Sequence, residues 1–118
     1  MQWFDDLPKV YLHREFVDFR KAVNGLCVIV EQQMQLNPFD ASLYVFCNRS
    51  RDKLKILYWD KTGFVLWYKR LEQDKFKWPV KESEAIIELN EQRFHWLLSG
   101  LPVIEPKPHQ AVFYEVLS

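Results

Sequence analysis

The chain has 118 residues, of which 48% are hydrophobic and 16% aromatic, and its sixteen Lys/Arg are balanced by sixteen Asp/Glu. That is apolar material for one compact core and too little length for two ordinary domains, so a single domain over residues 1–118 is expected. No apolar run approaches the roughly 20 residues of a membrane span, and the opening MQWFDDLPK lacks the basic start and apolar stretch of a secretory signal, so no membrane contact and a cytoplasmic location are expected.

Lys9 to His13, KVYLH, reads as a short strand after the loop-like Asp5-Asp6-Leu7-Pro8. Phe19, Val23, Leu26, Val30 and Met34 then recur at helical spacing, which predicts a helix over about 19–35. Asp18 stands directly before it, placed to accept hydrogen bonds from the free first-turn amides as an N-cap. Gly25 weakens this helix slightly, or else admits close approach of another element. Asn37-Pro38-Phe39-Asp40 breaks it, because proline disfavours helical backbone in the residue before it.

Strands at about 43–48, 54–60 and 64–71 follow, forming an antiparallel β-meander in an α+β fold. The last two are joined by Asp60-Lys61-Thr62-Gly63, read as a type I turn with Gly63 in the left-handed bulge position. With Asp60 opposite Phe64, one face carries Leu54, Ile56, Tyr58, Phe64, Leu66, Tyr68 and Arg70. The other carries Lys55, Leu57, Trp59, Val65, Trp67 and Lys69, and a slip of one residue regroups both sets. Both faces are too apolar to leave in water, so either helices cover both or one is a binding surface. Ala85 to Leu89 is a further strand candidate, and Asn90 caps a shorter helix over about 91–99 that stops at Gly100. Residues 101–118 carry prolines and then AVFYEVL, and are expected to form an extended arm or tail.

Familiar catalytic patterns are missing. His13, His95 and His109 are far apart and none has a neighbour at metal-ligand spacing. Glycines at 25, 63 and 100 cannot build a phosphate loop. Cys27 and Cys47 sit within apolar runs and read as buried thiols rather than as a disulfide or metal pair. Among the acids that could form a two-metal site, Asp18 and Asp60 have capping and turn roles, while Asp52 and Asp74 lie among cations. No catalytic residue, metal or cofactor is expected.

What stands out is the stretch from Arg49 to Trp78, where nine Lys/Arg face only four acids, so the neutral total hides a strongly dipolar chain. The candidate site residues are Arg49, Arg51, Lys53, Lys55, Trp59, Trp67, Lys69, Arg70, Lys75 and Lys77. Arginines give forked contacts to phosphate, lysines act as point charges, and tryptophan offers a face for a base. The alternative is an ordinary solvated loop beside strands whose tryptophans are core. Phosphate contacts alone would carry little sequence information.

These residues also carry a resemblance. Asp18-Phe19-Arg20-Lys21 and Asn37-Pro38-Phe39 are followed by Leu43-Tyr44-Val45-Phe46 and the run from Asn48 to Asp60. Gly63-Phe64, then Tyr68-Lys69-Arg70-Leu71 through Phe76-Lys77-Trp78-Pro79, complete the pattern. Together they resemble the small accessory proteins, called TnpB or Orf2, of insertion-sequence 66 family transposable elements. A looser echo is Leu89 with Phe94 to Gly100, similar to that family's closing helix. Phe19 and Ala22 stand where family members often have methionine and glycine. The resemblance implies a role in DNA transposition beside a separate transposase that holds the catalytic acids, and it transfers no catalytic residue. Two roles are open: binding transposon ends through the basic aromatic hairpin, or docking on the transposase through the Leu57/Trp59/Val65/Trp67 face or the AVFYEVL tail without touching DNA.

Overall fold

The computed structural model describes residues 8–102, so most of the expected 101–118 arm, with its AVFYEVL run, and His109 lie outside the described residues. Five strands form one sheet: β1 (Lys9–His13), β2 (Ser42–Cys47), β3 (Lys53–Trp59), β4 (Phe64–Arg70) and β5 (Ile86–Leu89), in the order β4-β3-β2-β1-β5. Strands β2, β3 and β4 are the expected antiparallel meander. Strand β1 adds to β2 in parallel. Parallel neighbours need a crossover connection rather than a hairpin, and residues 14–41, which contain a helix, provide it. Strand β5 closes on the far side of β1, antiparallel.

The first helix falls inside the expected window but begins later. Helix α1 (Val23–Val28) runs on as a π-helical turn, Ile29–Gln33. Asp18 does not cap it, because its carboxylate instead accepts the backbone N–H and the guanidinium of Arg20, while its carbonyl accepts the Lys21 N–H. The chain therefore turns at 18–21 before the helix starts, and the N-cap is Ala22, which has no capping side chain. Gly25 admits the stem of Lys21: a Cβ there would stand 3.1 Å from the lysine Cβ. Gln35 ends the helical stretch in the left-handed region, φ 55°. The second helix, α2 (Glu91–Leu98), is capped as expected, with Asn90 Oδ1 accepting the Arg93 N–H at 2.8 Å. Gly100 follows it at φ 83°.

The hairpin register differs from the expected one by a residue. Trp59, not Asp60, lies opposite Phe64. Asp60 Oδ1 accepts from Thr62 N, Thr62 Oγ1 and Gly63 N, and Lys61 rather than Gly63 adopts positive φ, at 86°. The carboxylate thus organises a four-residue loop in place of a glycine bulge. Because side chains alternate along a strand, the slip exchanges partners on both faces. Lys53, Lys55, Leu57, Trp59, Phe64, Leu66, Tyr68 and Arg70 share one face, and Leu54, Ile56, Tyr58, Val65, Trp67 and Lys69 share the other.

Both faces are covered at their centres, while Tyr68 on the first-helix side stays 48% exposed, so the two alternatives left by the sequence each hold for part of the sheet. Leu57, Tyr44 and Phe46 pack beneath Leu26, Ile29, Val30 and Met34 of the first helix. Across the sheet, Leu43, Val45, Leu54 and Ile56 meet Phe94, Leu97 and Leu98 of α2, joined by Phe76 and Trp78 from the segment after β4. Each fully buried Leu, Ile or Phe contributes about 1.5–3 kcal/mol, and both sets are continuous enough to fix the sheet between two layers. No helix among the described residues is long and apolar enough to cross a membrane.

Candidate nucleic-acid interface

The turn between β2 and β3 is held from three directions. Asn48 Nδ2 donates to Asp52 Oδ1 at 2.7 Å, and Asn48 Oδ1 accepts the Lys53 N–H at 3.0 Å. The Arg51 carbonyl accepts the Phe76 N–H, the Asp52 carbonyl accepts the Leu71 N–H, and Lys75 Nζ donates to the Ser50 carbonyl. Arg51 itself takes left-handed backbone, φ 60°. The Asn48 amide, and after it the charges of Lys53 and Lys75, hold the Asp52 carboxyl below the usual carboxylate range. Its charge is used inside the turn. Arg49, Arg51 and Lys53, by contrast, form no side-chain hydrogen bond or ion pair among the described residues.

Beside this turn lies a cleft of about 670 Å³, walled by residues 16–20, Asn48, Arg49, Lys53, Lys55 and Tyr68. Lys55 Nζ donates to the carbonyls of Phe19 and Lys21, both at 2.9 Å, and sits 4.8 Å from the centre of the Phe19 ring. Desolvation lowers its pKa. An ammonium has three N–H donors, so one is left beyond those two carbonyls. Arg20 closes on Asp18 at 2.6 Å. That bond, with the Arg20 backbone N–H, holds the Asp18 carboxyl down at about 2. Four cations and one carboxylate therefore line the cleft, and because Arg20 and Asp18 neutralise one another the surplus is carried by Arg49, Lys53 and Lys55. Across Phe16 and Arg49 a smaller hollow of about 310 Å³ continues toward Arg14.

The ten residues singled out by the sequence do not all come together. Arg49, Lys53 and Lys55 line the cleft. Arg51 and Lys75 belong to the turn behind it. Arg70 stands across the strands from Lys53 but pairs with Glu72 at 2.9 Å, and Lys77 lies 3.7 Å from Asp74. Lys69 is on the opposite face, where its Nζ donates to the Leu98 carbonyl at 2.7 Å and caps the end of α2. Trp67 is also on that face, packed against the core. Trp59 shares the face of Lys55 but stands four residues along the strand, about 13 Å away, in a cluster of rings with Phe39 and Phe64.

Two contributors were passed over in the sequence, Arg20 and Tyr68. Arg20 sits in a segment whose acids outnumber its bases, so a count of charge hides it. Its signal is the short Asp18-x-Arg20 spacing, which lets the carboxylate hold both the backbone and the side chain of the same residue. Tyr68 lies directly opposite Lys55 once the hairpin register is right, and the slipped register had placed it on the other face.

The family model described as IS66 Orf2 like protein matches residues 8–108. Among individual proteins, the uncharacterized protein y4hO of Sinorhizobium fredii (strain NBRC 101917 / NGR234) is 33% identical over 99 residues, covering 84% of this chain and 85% of that protein. The uncharacterized protein y4jC of the same strain is 34% identical over 85 residues, 72% of each chain. No solved structure matches at a significant level. The family match takes in the whole sheet, both helices and every wall of the cleft.

Proposed function

The chain belongs to the family of IS66 Orf2-like proteins, and from that premise we propose that it serves insertion-sequence transposition as a non-catalytic accessory protein that grips DNA at the cleft beside the β2–β3 turn. The observation that carries this is the set of cations there: Arg49 and Lys53, which form no ion pair among the described residues, and Lys55 and Arg20 fixed in place by the backbone and by Asp18. Such groups neutralise phosphates, and releasing the counterions of phosphate makes affinity fall with salt. Strand cutting is left to the separate transposase.

Binding of a labelled transposon-end fragment across a salt series tests the proposal. A straight decline of log affinity with log salt is expected, and replacing Arg49 and Lys53 together by Ala should weaken binding at least ten-fold and flatten the slope by about 1.5–2. A salt-independent affinity, or a double variant that binds like the parent, rules the role out. The non-catalytic part has its own check: magnesium or manganese should produce no cleavage of DNA by the purified chain, and reproducible cutting abolished by a single Asp substitution would overturn it.

Docking on the transposase has a separate observation in its favour. At the hairpin tip Trp59 and Phe64 meet Phe39 of the loop before β2, with ring centres 5.0–5.1 Å apart, and Phe39 is 54% exposed. Aromatic residues are favoured anchors of protein interfaces. The face first considered for docking is not one face: Leu57 and Trp59 lie on one side of the sheet, Val65 and Trp67 on the other. Co-purification with the transposase that survives nuclease treatment and is lost on Phe39→Ser supports this role.

A further inference from the structure

We infer that the nucleic acid held in the cleft is an unpaired strand of DNA, with a base stacked against Tyr68. The inference rests on the DNA-binding reading above and names its substrate class. A duplex presents a convex rail of phosphates and keeps the faces of its bases inside the stack, so a partner for duplex needs cations on an accessible surface and no rings behind them. Here the cations rim a concavity instead, and its walls include side chains with flat faces. Tyr68 is 48% exposed, far above what a ring on a packed sheet face shows, and it stands opposite Lys55 on the adjoining strand. The Phe19 ring, also in the cleft wall, lies 4.8 Å from the Lys55 ammonium. Cations that follow a backbone and a ring that receives a base are the two components of single-strand recognition. The hollow beyond Phe16 shares Phe16 and Arg49 with the cleft and is otherwise lined by Arg14, Glu15 and Val80, so the concavity extends in one direction past Arg49, as a strand passing through requires.

Duplex and unpaired DNA of the same length, the latter a deoxythymidine oligomer, should be compared at one salt concentration, with the parent chain and with Tyr68→Leu and Tyr68→Phe. The oligomer is expected to bind more tightly than the duplex. Tyr68→Leu should weaken oligomer binding by about five- to a hundred-fold, the range of a lost base–aromatic stack, and leave its salt slope unchanged, while Tyr68→Phe keeps parental affinity. Exposure of Tyr68 makes both variants tolerable to the fold, which circular dichroism checks. Equal or tighter binding of duplex, with Arg49 and Lys53 still required, overturns the unpaired-strand assignment and leaves the DNA-binding role standing. Loss of affinity in Tyr68→Phe as great as in Tyr68→Leu assigns the residue to hydroxyl bonding and also overturns the stack. Tighter binding of a uridine oligoribonucleotide than of the deoxy oligomer overturns the choice of DNA. Absence of salt-dependent binding to any strand removes both proposals.

Discussion

Cys47 ends β2 with no exposed surface, and loss of water pushes its thiol up to about 12 from an ordinary 9.0. The folded chain keeps this thiol neutral, whereas the unfolded chain ionises it above about pH 9. A group whose folded pKa is raised contributes stability that is whole below its unfolded pKa and is lost as pH rises through the folded one. Tyr44 acts in the same direction: burial pushes it up to about 12, and its hydroxyl donates to the Asn37 carbonyl at 2.6 Å. The fold should therefore weaken between about pH 9 and 12. A Cys47→Ala chain is expected to start less stable near neutrality and to lose less over that alkaline range, measured by urea midpoints at each pH. Parallel losses in the two chains would show that the thiol is not the group responsible. At this scale the sequence was legible for Cys47, since an apolar run predicts a buried thiol, whereas Cys27, expected to be buried too, is only partly so. It was not legible for Asp18, whose carboxylate had two amide sets within reach and took the nearer one.

Short elements depend on their ends. Helix α2 has eight residues, below the length at which a helix holds itself in water, so its stability comes from Asn90 at the start, Lys69 on the Leu98 carbonyl at the finish, and three buried side chains between. Asn90→Ala should cost about 1 kcal/mol, and Asn90→Asp should recover most of it, both read from denaturant unfolding. An unchanged midpoint in the alanine variant would mean that packing alone sets the helix start. Its boundaries were readable because the capping residue, the apolar spacing and the terminal glycine all agree. The hairpin was not, because Asp60-Lys61-Thr62-Gly63 supports two turns. A glycine bulge and an aspartate-organised loop differ by one residue in register, and local preference does not separate them. Packing does: the observed register puts Ile56 and Trp67 together on the side of α2 and Leu57 and Leu66 together on the side of α1.

Across the whole molecule the segment after β4 links the cleft to the core. Phe76 is completely buried against the α2 side of the sheet, while its backbone N–H donates to the Arg51 carbonyl at 2.7 Å, and Trp78 Nε1 reaches the Arg14 carbonyl at the same distance. Removing the ring leaves a cavity next to the turn that carries Arg49. Phe76→Ala is expected to cost about 3–5 kcal/mol of stability, more than Trp59→Ala, whose ring is only partly buried in the cluster at the hairpin tip; urea denaturation of the two variants side by side measures the difference. Comparable losses would contradict the division into a packed α2 face and an accessible tip. The same division explains the scatter of cations. A stretch rich in Lys and Arg that forms two strands of a covered sheet sends alternate residues to opposite faces, so Lys69 serves a helix end while Lys53 and Lys55 serve the cleft.

The amino-acid sequence by itself determined the α+β class, the meander, both helical regions, the cap at Asn90 and the kinship with IS66 Orf2-like proteins, because these rest on local periodicity, on residues a few positions apart and on the order of motifs along the chain. Tertiary structure decided the parallel place of β1, the hairpin register, and which cations share a surface. Those depend on contacts between segments distant in sequence: Lys55 on the carbonyls of Phe19 and Lys21, Tyr68 opposite Lys55, and Arg20 brought alongside Arg49. A charge count adds residues irrespective of where they point, and only packing of the two sheet faces fixes that direction.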